Sequence, residues 1–152
     1  MNYWRMQLHP NDGKKATYYS SQSIASGFIG LGFATEVGDL LLNVKYDIQD
    51  AQKNYVQFAD KMTIDDKVLI ISHHFPFAVV TIAGEYNYIK KTEPELGVWF
   101  NHFRRIKDVV FFSDFKTNSK NWEQYIMTDT VSILKDKNSK SYKLINKMTG
   151  KT

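Results

Sequence analysis

Histidines, carboxylates and a few glycine-rich stretches are the residues of this chain that invite a catalytic reading, and their spacing argues against one. His73-His74 suggests metal chemistry, but neighbours on a strand point to opposite faces and do not readily ligate one ion. His9 and His102 would have to converge from distant loops, and no HExxH spacing is present. Serines are plentiful, yet no Gly-x-Ser-x-Gly elbow prepares one as a nucleophile. The glycines at 27, 30 and 32 do not match the dinucleotide pattern G-x-G-x-x-G. Gly150-Lys151-Thr152 copies the end of a phosphate-binding loop without its earlier glycine. Asp65-Asp66 is expected to cap or turn between a helix and a strand, and Asp114 to end a strand. The expectation is therefore no catalytic residue, no metal and no cofactor. What remains is aromatic and basic: Trp99, His102 and Phe103, followed by Arg104, Arg105 and Lys107. Flat rings that sandwich a base, with guanidiniums nearby for phosphate, are what base recognition needs. The competing explanation is that Trp99 and Phe103, four apart, simply bury one face of a short helix.

The elements that would hold these residues follow from hydrophobic periodicity. Residues 2–8 alternate as a half-buried strand ended by His9-Pro10-Asn11-Asp12-Gly13. Residues 27–33 are poor helix material, and their glycines allow backbone to approach a partner closely. Ile48, Ala51, Tyr55, Phe58, Ala59 and Met62 recur at helical spacing and predict a helix over 47–62. Val68-Leu69-Ile70-Ile71 and the run 77–84 read as two buried strands forming a hairpin at the centre of a sheet. Residues 85–89 continue the second run with alternation. A further strand is expected over 106–112, and a short helix followed by a strand over 122–134. With 152 residues, 43% of them hydrophobic, and no repeat or composition break, the chain reads as one domain. Its lysine-rich end, about 136–152, reads as a C-terminal extension or the start of a linker.

There are no cysteines, so disulfides and thiolate metal sites are excluded. No signal-peptide pattern opens the chain and no apolar run is long enough to cross a bilayer, so a cytoplasmic location is expected. The net charge of +4 favours polyanionic partners modestly.

The order of segments resembles the PUA-like superfamily, in its EVE and YTH branches. It is most similar to the reader domains at the N-termini of McrBC-type modification-dependent restriction proteins. The likeness spans residues 3–115 and rests on four pieces. Tyr3-Trp4-Arg5-Met6-Gln7 resembles the opening strand of EVE domains. Gly27-Phe28-Ile29-Gly30-Leu31-Gly32-Phe33, followed by Gly38-Asp39-Leu40, resembles their Gly-Ile-Gly-Trp stretch, with Phe33 where Trp is frequent. Residues 62–71 and 79–84 are similar to the central hairpin. Leu96-Gly97-Val98-Trp99 and Phe103 resemble the YTH loop whose aromatics close a cage.

The resemblance implies an α+β fold, with a twisted mixed sheet or partly open barrel flanked by a few helices. It implies a base flipped into a cage of Phe33, Trp99 and Phe103, with its edge read by Ser23, Ser72 or Asn101. His73, His74, Arg104, Arg105 and Lys107 become candidates for phosphate. The expected ligand is DNA carrying methylated adenine or cytosine, and the expected partners are a GTP-dependent AAA+ motor and a nuclease. An RNA-binding PUA-like module and a small metal-dependent nuclease are the alternatives.

Overall fold

The two apolar runs in the middle of the chain do form a hairpin. β3 (Lys67–Ser72) and β4 (Phe75–Ile82) pair antiparallel, with Val68 opposite Val80 and Ile70 opposite Ala78. In the computed structural model the described residues are 1–8, 16–31, 38–41, 53–72, 74–92, 100–112, 125 and 130–150. Around the hairpin, β1 (Tyr3–Gln7), β2 (Phe28–Leu31), β5 (Asn87–Tyr88), β6 (His102–Phe111) and β7 (Val131–Leu134) complete a curled mixed sheet. The strand order is β2-β6-β4-β3-β1-β7, with β5 paired to β6. Among the described residues three helices accompany it: α1 (Ala16–Ala25), α2 (Lys53–Asp60) and α3 (Lys140–Met148). This is an α+β architecture.

Alternation along the strands separates two cores. Trp4, Met6, Val68, Ile70, Ala78, Val80 and Ile82 project from one face and meet Phe58, Ala59 and Met62 at the end of α2, with Ile24 of α1. Tyr3, Leu69, Ile71 and Val79 project from the other face and are covered by Leu144 and Ile145 of α3. Hence β1 is not half-buried: it lies between β3 and β7, with both Trp4 and Tyr3 buried. The reason is α3, which adds a third layer where a two-layer fold would leave the odd residues wet.

That helix lies within the stretch expected as an extension or the start of a linker. Ser139 is its N-cap and accepts from the Tyr142 amide, while Tyr3 donates to Asn146 Oδ1 at 2.7 Å and Arg5 Nη1 donates to Ser141 Oγ at 3.1 Å. The expected helix over 47–62 is described as α2, its earlier residues lying outside the described set. Phe103 lies on β6, which begins four residues before the expected strand, so the short-helix explanation of Trp99 and Phe103 does not apply to Phe103.

Asp66 explains how β1 is seated. Its carboxylate is fully buried and accepts from the Asn2 amide at 2.8 Å, from Trp4 Nε1 at 2.9 Å and from the Thr63 amide at 3.0 Å. A buried charge held by three donors replaces much of its lost hydration. Asp65-Asp66 does stand at the turn before β3, as expected, but Asp66 works there as an anchor for the first strand.

Close backbone approach in the glycine-rich stretch is realised inside the protein. A Cβ on Gly30 would stand 2.4 Å from the His102 carbonyl oxygen and 2.6 Å from Phe100 Cβ. Neither neighbour is the free end of a flexible side chain, so the β2–β6 pair cannot absorb it without shifting. Gly30→Ala should cost about 3 kcal/mol, at the upper end of overpacking penalties. Thermal unfolding by circular dichroism should show a midpoint lowered by roughly 6–12 °C, and an unchanged midpoint would refute the tight contact.

Candidate nucleic-acid interface

β6 is a two-faced strand. His102, Arg104 and Ile106 turn toward the α2 side, while Phe103, Arg105 and Lys107 turn toward the side that α3 covers only farther along the sheet. Asn101, just before the strand, continues the outward parity. Side chains two apart on a strand repeat at about 6.6 Å, so residues 101, 103, 105 and 107 form a line roughly 20 Å long. Phe28, paired with Arg105 across β2, supplies its floor. The Phe28 and Phe103 rings meet edge to face at 5.4 Å, and the Arg105 guanidinium lies 5.3 Å from the Phe28 ring centroid. Lys67 and Thr81 extend the row across β3 and β4, with Lys67 Nζ donating to Thr81 Oγ1 at 3.0 Å.

Three of the expected roles, those of Arg104, Ser23 and Ser72, fall on buried groups and need correction. Arg104 is 2% exposed and faces inward. Its guanidinium donates to the carbonyl oxygens of Phe58 (2.8 Å), Ala59 (3.2 Å), Met62 (2.6 Å) and Gly84 (3.1 Å). Three of these acceptors lie at the C-terminal end of α2 and just beyond it, where the helix leaves carbonyls unpaired and its dipole favours a cation. Burial pulls the guanidinium below its ordinary pKa, against the opposing influence of Glu85 and Asp66. Arg104 is thus a structural clasp and not a phosphate ligand. Ser23 is fully buried, and its hydroxyl donates to the Phe28 carbonyl at 2.7 Å. Ser72 is buried opposite Phe75, at the end of the sheet away from Phe103. His74 sits in the β3–β4 turn with its carbonyl accepting from the Tyr125 amide at 2.7 Å. Seven residues of β4 separate it from the level of Lys107, about 20 Å. One ligand base cannot meet both Ser72 and Phe103, nor does His74 join the Arg105 cluster.

Asn101, Phe103, Arg105 and Lys107 are brought together. Asn101 Nδ2 holds the Ile89 and Lys90 carbonyls at 3.0 and 3.1 Å, and its amide oxygen has no partner among the described residues. Phe33, Trp99 and His73 lie outside the described residues. Leu31 and His102, close to the first two in the chain, are paired neighbours on β2 and β6. Behind the line, His102 is fully buried, with Tyr86 Oη 2.6 Å from its Nδ1 and the Leu40 amide donating to Tyr86 Oη at 3.1 Å. Sequence reasoning missed Phe28 and Lys67; strand parity counted from residue 102 would have signalled the outward set. Among the described residues no group of three or more His, Cys, Asp or Glu is placed to hold a metal ion, and no helix is long and apolar enough to cross a membrane.

Comparison with models of known protein families gives no match to this chain, and comparison with curated proteins likewise gives none.

The Lys107 charge is shared with Asp65, whose Oδ1 accepts from Nζ at 2.8 Å. That hydrogen bond, with the charge behind it, holds the Asp65 carboxyl below its usual 3.8 and the Lys107 ammonium above its usual 10.5. The pair's stabilisation is fully present between those ordinary values. It is lost as pH falls through the lowered Asp65 value or rises through the raised Lys107 value. Asp65→Asn should therefore be less stable than the parent at neutral pH, with the difference closing in acid, as read by urea unfolding across pH. A deficit that persists unchanged to low pH would exclude the ion pair as its cause.

The adjacent arginines should separate cleanly. Arg104→Lys cannot serve four carbonyls with one ammonium and should cost about 3 kcal/mol, whereas Arg105→Gln should stay within about 0.5 kcal/mol. Urea denaturation midpoints distinguish them, and equal effects would contradict the inward–outward assignment.

Proposed function

We propose that the chain is a nucleic-acid-binding domain of PUA-like type that reads a modified base and does no chemistry itself. The observation that carries this reading is the outward line of Asn101, Phe103, Arg105 and Lys107 over Phe28. A half-exposed ring beside an exposed guanidinium and an ammonium is suited to stacking a base and meeting its phosphate. Asn101 has one amide oxygen to offer a base edge. The likeness to EVE and YTH domains adds the modification: a base turned out of its strand and enclosed by Phe33, Trp99 and Phe103. Methylation favours such a cage because it adds apolar surface to an edge that would otherwise have to be desolvated. Methylated adenine or cytosine in DNA is the ligand this implies, with the domain serving as the targeting part of a modification-dependent restriction system. A GTP-dependent motor and a nuclease would act beside it.

The test is titration of labelled duplexes identical except for N6-methyladenine, 5-methylcytosine or no modification, with matched RNA alongside. One modified duplex should bind at least about tenfold tighter, or 1.4 kcal/mol. Phe103→Ala and Trp99→Ala should each remove roughly 1–3 kcal/mol of that binding. Preference for RNA over every DNA would transfer the reading to RNA, and no binding to any oligonucleotide would end it. In the same assay Asp65→Asn should tighten binding, because it releases Lys107 from its carboxylate; weaker binding would remove Lys107 from the interface.

A further inference from the structure

The basic excess of the chain is not spread over the sheet. Residues 135–152 contain six lysines against the single carboxylate of Asp136, whereas residues 1–134 contain 14 basic and 15 acidic residues. The positive net charge of the whole chain therefore resides in its C-terminal segment, most of which is α3 and the turn before it.

We infer that α3 is the phosphate-gripping element of this domain, its lysine flank docking the backbone of the nucleic acid whose base is read at β6. This rests on the nucleic-acid reading above. Lys140, Lys143 and Lys147 are all exposed. At 100° per residue they fall within about 60° of one another, one stripe along the helix. Ser141, Leu144 and Ile145 form the buried face. Tyr142 and Asn146 lie between the buried face and Lys143, where they meet Tyr3. The lysines are thus carried by a helix fixed to the sheet, not by a loose tail, so less ordering entropy opposes their contacts. Lys140 lies with its ammonium 5.5 Å from the Tyr125 ring centroid, and the Tyr125 amide donates to the His74 carbonyl in the β3–β4 turn.

α3 covers the same side of the sheet on which Phe103, Arg105 and Lys107 project. The strands between it and β6 are about 4.8 Å apart, so a backbone crossing the sheet would meet both elements. A lipid surface is the poorer partner. Leu144 and Ile145 are turned inward, leaving α3 no apolar face to enter a bilayer.

The experiment compares the intact parent chain with a Lys140→Gln, Lys143→Gln, Lys147→Gln triple variant, a triple Lys→Arg counterpart and Phe103→Ala. Unmodified labelled duplex is titrated from about 50 to about 200 mM salt, the range over which phosphate neutralisation is most visible. The slope of log affinity against log salt should fall by roughly 2–3 in the glutamine variant, about 0.9 for each duplex phosphate that a lysine no longer neutralises. The arginine counterpart should retain the parent slope, and thermal midpoints of all should match. Phe103→Ala should weaken binding without changing the slope. A glutamine variant with the parent slope overturns the α3 assignment and leaves base reading at β6 standing. So does an arginine variant that folds but fails to restore the slope. A parent chain that binds no oligonucleotide but does bind anionic phosphatidylserine vesicles removes both.

Discussion

Arg104 carries its charge into the interior where α2, β6 and the turn between β4 and β5 meet. A guanidinium there is costly unless its donors are used, and four carbonyls use them. The same bonds stop α2, since the carbonyls that a further turn of helix would have engaged are taken by the side chain. They also fix which face of β6 points inward, because a strand pinned through residue 104 has no freedom to slip by one. Phe103, Arg105 and Lys107 are outward for that reason. The proposed interface and the structural clasp are alternate residues of one strand, and the clasp sets the interface.

The central hairpin was legible because continuous apolar runs of strand length bounded by turn residues have few other uses. Val68 to Ile71 and Val79 to Ile82 sit where periodicity puts them. The grouping of site residues was harder to read. Ser72 and His74 are near the hairpin's turn in sequence, but an eight-residue strand carries that turn far from Phe103, and sequence neighbourhood does not report the distance. Arg104 and Arg105 look equivalent as a pair; strand parity alone makes one a core residue and the other a surface one. α3 was obscured by its lysines, although Leu144, Ile145 and Met148 have the one-sided spacing of a docked helix. Asp66 could not have been matched to Trp4 without the parallel pairing of β1 and β3, a contact between residues more than sixty apart.

Two kinds of surface lie on one side of the sheet. The line along β6 is mixed, with aromatic, guanidinium and ammonium groups, and Asp65 tempers its charge. The stripe on α3 is nearly pure lysine. Mixed surfaces discriminate between ligands through contact geometry, whereas lysine rows attract any polyanion and hold it by counterion release. Division of labour between an unselective grip and a selective contact is common to proteins that search a polymer for a rare feature.

The position of β1 has a consequence for how the chain comes to be folded. Tyr3–Gln7 lies between β3, parallel to it, and β7, antiparallel to it, so its two edges are satisfied by segments that begin 64 and 128 residues later. During synthesis this apolar strand must wait for β3 until nearly half of the chain has emerged, and for β7 until most of it has. Loop closure over such spans is slow compared with the local pairing of β3 with β4. The hairpin can therefore collapse first and present β3 as a template, with β1 added on one edge and β7 closing the other. In the interval Trp4 and Met6 are exposed, and a strand of this kind with both edges open is the point at which association with another chain competes with folding.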